Sequence, residues 1–588
     1  MKFLRSNKAA LASAISVLLF GIIYILIKIA PPSGIIQKVS GITFNDTSRV
    51  DAVFYKYTIL LILLGTGILF LLWFKQSPYL EKFTQLVKTA AAGFSRVFTI
   101  NILLALSLVY LAVLFFAAIH YYDLGFDEAW YITFARNFSL TGMPFYTGDS
   151  RLAVIDTISM LPYYILSLIN FKAGLIEVWH FKILSVLLSV FTLIVLYRIT
   201  GKLYSKAAAV LFMFFLIIQP GFGFIASSYF GEFLQAAFMF YGLYYWLKDD
   251  GGVTNKTLII TSLLFSFAIH TKFQLVIILP AVLIFLAFTD KDKHPVKLLI
   301  YTVLFTALIS LVRTIPVLLT APAQIRSLAL ITDLLAAKST TVSASLVLER
   351  LQLFNRFFPL AVLIVVSGLF SLHMKNAFER FILFFTLVTS FWWIFIYPLS
   401  TYRNPFMAII TVCLMAAIML TRLYDSFYSK NPARIILIKY VSAFGILFMM
   451  LYGFSANLVY AKIGYNDGVQ FDLDGFVSRL FTPVAHDNTQ KDFYRELRGV
   501  IQPSDTLYNG SFVTKFYVPN SVYSIQRMTE TLKGSPPGTE ALLLITREMY
   551  PLGFENIYSQ VDSLVQADSL KKRIILKTGQ HELYSLKK

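Results

Sequence analysis

Two adjacent carboxylates, Asp127 and Glu128, follow soon after a long apolar run from Ile100 to Ile119. They stand in the stretch "HYYDLGFDEAWYITFARN", whose second half is rich in aromatic residues. The run before them is long enough to cross a bilayer, which needs about 20 apolar residues. A carboxylate at such a boundary could remove or orient the proton of an incoming hydroxyl or amine. The pair is therefore a candidate for acid–base chemistry at the membrane surface.

A third acid and two cations could complete such a site. Glu232 stands in "SSYFGEF", Lys272 in "HTKFQ" and Arg403 in "YPLSTYRNP", each beside an apolar segment. Cations can stabilise a phosphate that leaves with negative charge, and charges at membrane depth are functional candidates because they are costly to hold. The set suits transfer of a sugar from a lipid phosphate. Second-tier candidates are Asp149, Arg151, Asp156, His270 and Tyr402.

The composition indicates a polytopic α-helical membrane protein. Of 588 residues, 57% are hydrophobic and 14% charged, whereas a large soluble enzyme would carry more charge. The excess of Lys and Arg, 51 against 32 acids, is better explained by cytoplasmic loops than by a nucleic-acid partner. The single cysteine, Cys413, excludes an intramolecular disulfide. The apolar segment after "MKFLRSNK" is expected to be an uncleaved anchor, because its core is too long for a signal peptide.

Hydropathy predicts about 13 membrane-spanning helices connected by loops. The predicted spans lie near 9–30, 57–74, 98–119, 178–198, 207–223, 231–247, 257–270, 273–289, 297–318, 358–372, 379–397, 404–421 and 435–455.

One segment, 154–171, decides the orientation. It is apolar but is interrupted by Asp156 and Pro162. If it lies in the membrane surface without spanning, the basic clusters that follow all fall on the cytoplasmic side with the N-terminus, as the positive-inside rule requires. Asp127, Glu128, Glu232, Lys272 and Arg403 then all lie on the exterior face. The expected location is a bacterial inner membrane, with a cytoplasmic N-terminus and a periplasmic C-terminal domain.

The chain after about residue 457 changes character and predicts a soluble domain. "NTQKDFYRELRGVI" is typical of a capped amphipathic helix. Five segments are typical of short strands: "SDTLYNGSF", "NSVYSIQR", "EALLLITRE", "RIILKTG" and "HELYSLK". We therefore predict three parts: 1–97 with two helices, 98–456 as the catalytic membrane domain with exterior loops 120–177 and 320–357, and 457–588 as an exterior α/β domain.

The order of these parts resembles the GT-C superfamily of membrane glycosyltransferases, especially its protein O-mannosyltransferase and aminoarabinose-transferase-like branch. "DEAWYITFARNFSLTGMPFY" resembles the acidic first exterior loop of that family. The later stretches "ASSYFGEFLQAAFMFYGLYYWL", "LLFSFAIHTKFQLVIILPAVLIFL" and "STYRNPFMAIITVCLMAAI" resemble its following helices. The resemblance covers roughly 98–588.

The resemblance implies inverting transfer from a polyprenyl-phosphate sugar. It implies Asp127 as the main catalytic carboxylate, Glu128 and Glu232 as assisting acids, and Lys272 and Arg403 as ligands of the donor phosphate. Some members use a divalent metal and others do not, so a metal cofactor stays open, with Asp127 and Glu232 as its ligands if one is bound. The implied partners are the lipid-linked donor, membrane lipids and an acceptor lipid, glycan or protein, with no nucleic acid.

The sequence departs from that family in two places. Two predicted spans precede the core, and the basic double-proline stretch after the first loop is replaced by "TGDSRLAVIDTISMLPYY", where Arg151 would be the substitute cation. Two other functions stay open, a glycolipid transporter or flippase and a polysaccharide polymerase or ligase. Transporters favour internal repeats and charges near the midplane, and no such repeat is evident. The sugar and the acceptor are not identified by the sequence.

Overall fold

The helices that carry the candidate residues belong to one bundle. A computed structural model describes residues 8–34, 38, 58, 62, 66, 100–121, 128–129, 132, 169–170, 172–174, 177–219, 222–228, 231–248, 253–272, 274–320, 347, 374, 376–396, 406–428, 450, 489–502, 504–509, 512–518, 521–523, 528, 531–532, 535–536, 538–545, 571–578 and 581–587.

Eleven helices lie in the membrane part of the described chain. They are α1 Lys8–Ile29, α2 Ile100–Tyr121, α3 Val178–Leu203, α4 Lys206–Ile217, α5 Phe222–Ser227, α6 Glu232–Leu247, α7 Asn255–Thr271, α8 Leu275–Thr289, α9 Pro295–Thr320, α10 Ala377–Phe391 and α11 Phe406–Tyr428. A 3₁₀ turn, Lys291–Lys293, precedes α9, and a π-helical turn, Trp392–Ile396, extends α10.

Helices α3 to α11 run between two faces of the bundle, and their ends gather at these faces. Pairs in contact include α6 with α7, α7 with α9, α4 with α11, and α6 with α3. We call the face where α3, α6, α8 and α11 begin the site end, and the other face the opposite end. Aromatic rings fill the interior between them: Phe233 packs on Phe222 and Phe406 with ring centroids 5.7 and 5.0 Å apart. Short loops therefore place residues of distant sequence side by side.

Ion pairs and hydrogen bonds tie helices together at the opposite end. Arg380 Nε donates to Asp290 Oδ2 at 2.8 Å and so joins α10 to the end of α8. Arg422 pairs with Glu379 and donates to the Tyr204 hydroxyl at 3.1 Å. The described residues at this end also include five lysines at the α3–α4 and α8–α9 connections: Lys202, Lys206, Lys291, Lys293 and Lys297. This face is strongly basic.

A small sheet and two helices form the described C-terminal part. The helices are α12 Thr489–Val500 and α13 Phe512–Tyr517, and the strands are β1 Thr506–Tyr508, β2 Ser521–Tyr523, β3 Glu540–Ile545, β4 Lys571–Thr578 and β5 His581–Lys587. The strand order is β2-β1-β3-β5-β4, with β1 parallel to β2 and β3, and β5 antiparallel to β3 and β4. A strand overlaps each of the five predicted segments, with β4 beginning two residues before its segment, which confirms a small C-terminal sheet.

The predicted spans agree with the helices wherever the structure describes them, with one difference. The span near 207–223 is divided, since α4 ends at Ile217 and α5 starts at Phe222. The sequence there is Pro220–Gly221, and proline lacks the N–H that a continuing helix needs. The spans predicted near 57–74, 358–372 and 435–455 lie almost wholly outside the described residues, as does the surface segment 154–171.

The described helices identify a multi-pass membrane protein without fixing the number of spans. Three helical stretches within the described residues are long and apolar enough to cross a bilayer: Val178–Leu203, Lys291–Leu311 and Ala377–Ile396. Five shorter apolar stretches accompany them. The total of about 13 spans stays a prediction.

Candidate active site

The first feature of the site end is an ion pair between α6 and the turn after α7. Lys272 Nζ lies 2.8 Å from Glu232 Oε1. The Glu232 side chain is 3% exposed and that of Lys272 is 18% exposed. Glu232 is the first residue of α6, where a carboxylate is favoured by the helix dipole. The pair therefore presents a held carboxylate and a cation that a ligand can reach.

Gln235 fixes the backbone beside this pair. It lies three residues after Glu232 and hence on the same side of α6. Its Nε2 donates to the carbonyls of Ala268 at 3.3 Å and Lys272 at 3.1 Å. Since both partners are acceptors, the amide nitrogen must face them, and Oε1 faces the other way. These bonds hold the turn that carries Lys272 against α6.

The start of α11 lies against the start of α6. The Phe406 ring packs 5.0 Å from the Phe233 ring. The Thr192 hydroxyl of α3 donates to the Phe233 carbonyl at 3.3 Å. Three helices from distant parts of the chain thus meet within one residue of Glu232.

A second ion pair joins Glu128, which precedes α3 in the chain, to Lys182 in the second turn of α3. Lys182 Nζ is 2.8 Å from both Glu128 Oε1 and Glu128 Oε2. Both side chains are 0% exposed. The residues Ala129 and Ile132 beside Glu128 are also buried. Glu128 is therefore anchored at the first turns of α3.

One buried apolar cluster links the two ion pairs to the C-terminal domain. It contains Ala129 and Ile132, then Val178 and Phe181 of α3, and Leu234 of α6. It continues into the C-terminal part through residues of α12, α13, β1, β3 and β5, among them Phe493, Tyr494, Leu497, Leu507, Leu544 and Leu583. The C-terminal domain therefore lies at the site end of the bundle.

A small cavity of ≈ 10 Å³ opens between α6, α8, α10 and α11. A volume of this size admits about one water-sized group. Its lining consists of Gln235, Gln274, Leu275, Ile278, Thr389, Trp392, Trp393, Met407 and Ala408. Gln235 Oε1 is buried there and accepts no hydrogen bond from any residue that the structure describes. The cavity adds a polar notch below the Glu232–Lys272 pair.

Of the remaining predicted site residues, His270 lies within the described part of the chain. His270 is buried, and its Nε2 lies 3.1 Å from the Thr306 carbonyl, so it connects α7 to α9. Asp127 and Arg403 lie outside the described residues. So do four second-tier candidates, Asp149, Arg151, Asp156 and Tyr402.

A metal ligand set is not evident in the described part of the chain. No group of three His, Cys, Asp or Glu side chains comes together among those residues. Glu232, one of the two predicted metal ligands, already faces the Lys272 ammonium. Asp127, the other predicted ligand, lies outside the described residues, so a bound metal stays a prediction.

Sequence reasoning missed two residues of this site. Lys182 is a charge inside the apolar segment "VWHFKILSVLL", and such a charge is itself a signal of a buried partner or a functional role. Gln235 carries no charge, and its position three residues after Glu232 was the available signal.

The helical bundle with a small sheet domain at its site end resembles the fold expected of the GT-C superfamily. The structure aligns with ArnT from Cupriavidus metallidurans bound to undecaprenyl phosphate, with a TM-score of 0.55 and 15% identity, over 82% of this chain and 97% of that one. The apo form of the same protein aligns with a TM-score of 0.55 and 14% identity, over 84% and 98%.

A family model gives independent support from the sequence. Residues 159–319 match the model described as dolichyl-phosphate-mannose-protein mannosyltransferase. The matched segment contains Lys182, Glu232 and Lys272. The archaeal oligosaccharyltransferase AglB from Archaeoglobus fulgidus, in complex with an inhibitory peptide and a dolichol-phosphate, aligns with a TM-score of 0.43 and 12% identity, over 71% of this chain and 64% of that one. No curated protein sequence matches the chain. The family-model match and the fold shared with ArnT confirm the resemblance to the GT-C superfamily.

Proposed function

We propose that this protein is an integral-membrane glycosyltransferase that moves a sugar from a polyprenyl-phosphate donor to an acceptor on the periplasmic face of a bacterial inner membrane. The observation that carries the proposal is the partly exposed Glu232–Lys272 pair at the site end of a GT-C fold. The ArnT structure of similar fold is bound to undecaprenyl phosphate, which supports a lipid phosphate as the donor.

The proposed reaction is a single inverting displacement. The acceptor hydroxyl or amine attacks the anomeric carbon while the bond from that carbon to the phosphate oxygen breaks. The polyprenyl phosphate leaves with the bonding electron pair, and the acceptor proton passes to a carboxylate. We assign the proton to Asp127 and an assisting role to Glu232. Attack opposite to the leaving phosphate inverts the configuration.

Lys272 is the cation that we assign to the departing phosphate. Its side chain is more exposed than that of Glu232, 18% against 3%, so a donor can approach it from the aqueous side. An ammonium group has three N–H donors and can serve more than one acceptor. Glu232 then orients the ammonium, and the phosphate completes its surroundings. Preorganised positive charge of this kind stabilises the leaving group most as the bond breaks.

Arg403 is the second cation that we assign to the phosphate. It precedes Phe406 by three residues, and three peptide units span at most about 11 Å. Since Phe406 packs on Phe233, next to Glu232, an arginine side chain from position 403 is within reach of the pair.

The basic opposite end supports the proposed orientation. The lysines at that face, from Lys202 to Lys297, favour the cytoplasm by the positive-inside rule. The site end and the C-terminal domain then face the periplasm. That domain shares a buried cluster with Val178 and Leu234, a placement that suits recognition of an acceptor lipid, glycan or protein.

The decisive experiment compares the Asp127→Asn variant with the unaltered protein in membranes of a deletion strain. The lipid-linked sugar that accumulates there is identified by mass spectrometry and serves as the donor. We expect Asp127→Asn to abolish its consumption, while the thermal unfolding midpoint stays unchanged. The matched control is Asp492→Asn, in the C-terminal domain, where Asp492 pairs with Arg495 on the surface. It should turn over normally.

Three results would contradict the proposal. Normal turnover by Asp127→Asn removes that carboxylate from the mechanism. Passage of the intact lipid-linked sugar across the bilayer, without cleavage of the anomeric bond, favours a flippase. Formation of sugar chains of increasing length on the lipid carrier favours a polymerase.

A further inference from the structure

The Glu128–Lys182 pair is the most deeply buried ion pair at the site end. Its members are 54 residues apart in sequence, and Lys182 Nζ contacts both carboxylate oxygens at 2.8 Å. Neither side chain has any exposed surface. The Glu232–Lys272 pair, in contrast, is open to solvent on the lysine side. The two pairs at this end thus differ in access, which indicates different roles.

Burial of two charges gives little net stability. Removing an acid and an ammonium from water costs about as much as their attraction returns, and apolar residues of equal volume often do as well. What such a pair does provide is a unique register, because either charge alone in that environment is strongly unfavourable. Lys182 therefore fixes where the Glu128 backbone can lie relative to α3.

The residues around the pair make this restraint rigid. Ala129 and Ile132, on the loop side, are 0% exposed. They share a buried cluster with Phe181, the neighbour of Lys182, and with Leu234, two residues after Glu232. Glu128, Ala129 and Ile132 are therefore held by an ion pair and by apolar packing on the same few residues.

Access also argues against a reacting role for Glu128. Both of its oxygens face one ammonium, and no part of its side chain reaches solvent. A general base must come within about 3 Å of the proton that it removes. An acceptor arriving from the aqueous side cannot approach Glu128 without breaking the Lys182 contact. The adjacent Asp127 is joined to it by one peptide unit, with a Cα–Cα distance of about 3.8 Å.

We propose that Lys182 is a positioning residue that holds Glu128 and thereby places Asp127 for the reaction, and that Glu128 takes no proton itself. This inference rests on the proposed function. It divides the two neighbouring carboxylates of the sequence motif into one that is held and one that reacts.

Three variants of the full-length protein test this division: Glu128→Gln, Lys182→Met and the double variant. Each single variant removes the 2.8 Å Glu128–Lys182 contact, so Glu128 and its neighbours should shift, and a misplacement of about 1 Å can cost about 100-fold in turnover. The double variant removes both charges and keeps similar volumes, so it should recover to within about tenfold of the unaltered protein. The donor is the lipid-linked sugar purified from the deletion strain, and we expect the losses in kcat, with KM little changed.

The matched control for Lys182→Met is Lys202→Met. Lys202 lies on the same helix at the opposite end, where its Nζ is 3.4 Å from the Tyr244 hydroxyl. Its removal should leave kcat unchanged. A double variant that folds but is as inactive as Glu128→Gln would overturn the proposal, because Glu128 would then be needed for the chemistry.

A second readout tests the restraint without any assay of activity. Ile132→Cys places a thiol in the buried cluster, and the native Cys413 is buried within α11. We expect a maleimide to label position 132 when Lys182→Met is also present. We expect no labelling of position 132 in the otherwise unaltered protein or in the double variant. Equal labelling in all three backgrounds would overturn the restraint. If the unaltered protein consumes no lipid-linked sugar, the proposed function fails, and this labelling still decides whether Lys182 holds the motif.

Discussion

Lys272 Nζ lies 2.8 Å from Glu232 Oε1, although the two residues are 40 positions apart in sequence. The contact arises because α6 runs away from the site end and α7 returns to it, so the start of one helix meets the end of the other. Gln235 secures the meeting point through its bond to the Lys272 carbonyl. The pairing is therefore built into the antiparallel packing of two helices.

Substitution of Lys272 by methionine should strongly reduce transfer. The variant removes the partly exposed cation that we assign to the departing phosphate, and loss of one such electrostatic contact typically costs about 100-fold or more in kcat. The measurement is steady-state consumption of the lipid-linked donor by purified protein. Lys297→Met is a suitable control, because Lys297 lies at the opposite end, where its Nζ donates to Oδ1 of the surface residue Asn255 at 2.7 Å. A loss smaller than about threefold would remove Lys272 from the phosphate site.

Substitution of Gln235 by methionine should weaken both the fold and the site. It deletes the two hydrogen bonds to Ala268 and Lys272, each worth about 1 kcal/mol, while it keeps a similar volume. We expect a lower thermal unfolding midpoint together with a lower kcat, since the turn that carries Lys272 loses its anchor. Gln219→Met provides the comparison, because the Gln219 amide bonds within its own helical turn to the Phe215 carbonyl. An equal effect of both variants on kcat would contradict the role of Gln235.

Much of the membrane part could be predicted because hydropathy reports a simple physical requirement. A helix must carry about 20 apolar residues to cross a bilayer, and the alternation of such runs with polar turns also fixes which residues share an end. The hydropathy pattern therefore predicts that Glu232 and Lys272 lie on the same face of the membrane. Their actual pairing needed the helix packing, which depends on side-chain shape. The division between α4 and α5 was signalled by Pro220–Gly221 but was hidden within an apolar run.

The buried parts of the site were harder to predict. Lys182 interrupts an apolar segment by a single charge, and a lysine there can equally reach the membrane surface with its long side chain. Its partner is 54 residues away in a loop, so only the folded chain reveals the pair. Gln235 is neutral and gives no charge signal at all. The roles of Asp127 and Arg403 stay predictions, because both lie outside the described residues.

Close packing of α6 against α7 predicts a clear stability difference between two glycine variants. A Cβ added at Gly242 would lie 2.7 Å from the Phe265 ring, so Gly242→Ala must displace a buried ring. We expect it to lower the free energy of unfolding by about 1–3 kcal/mol. At Gly201, within α3, the nearest atom would be 3.9 Å away, so Gly201→Ala should be neutral or raise it by up to about 1 kcal/mol. Thermal unfolding in detergent measures both, and the reverse order would contradict the packing.

The last prediction concerns the orientation on which the periplasmic site depends. The native Cys413 is buried and should react little, so the labelling of single cysteines introduced elsewhere can be measured directly. Arg495→Cys, on the exposed surface of α12, should react with a membrane-impermeant maleimide in intact spheroplasts. Asp292→Cys, in the exposed turn before α9 at the opposite end, should react only after the membrane is opened, because the basic residues around it favour the cytoplasm. Labelling of position 292 in intact spheroplasts would invert the topology and move the proposed reaction to the cytoplasmic face.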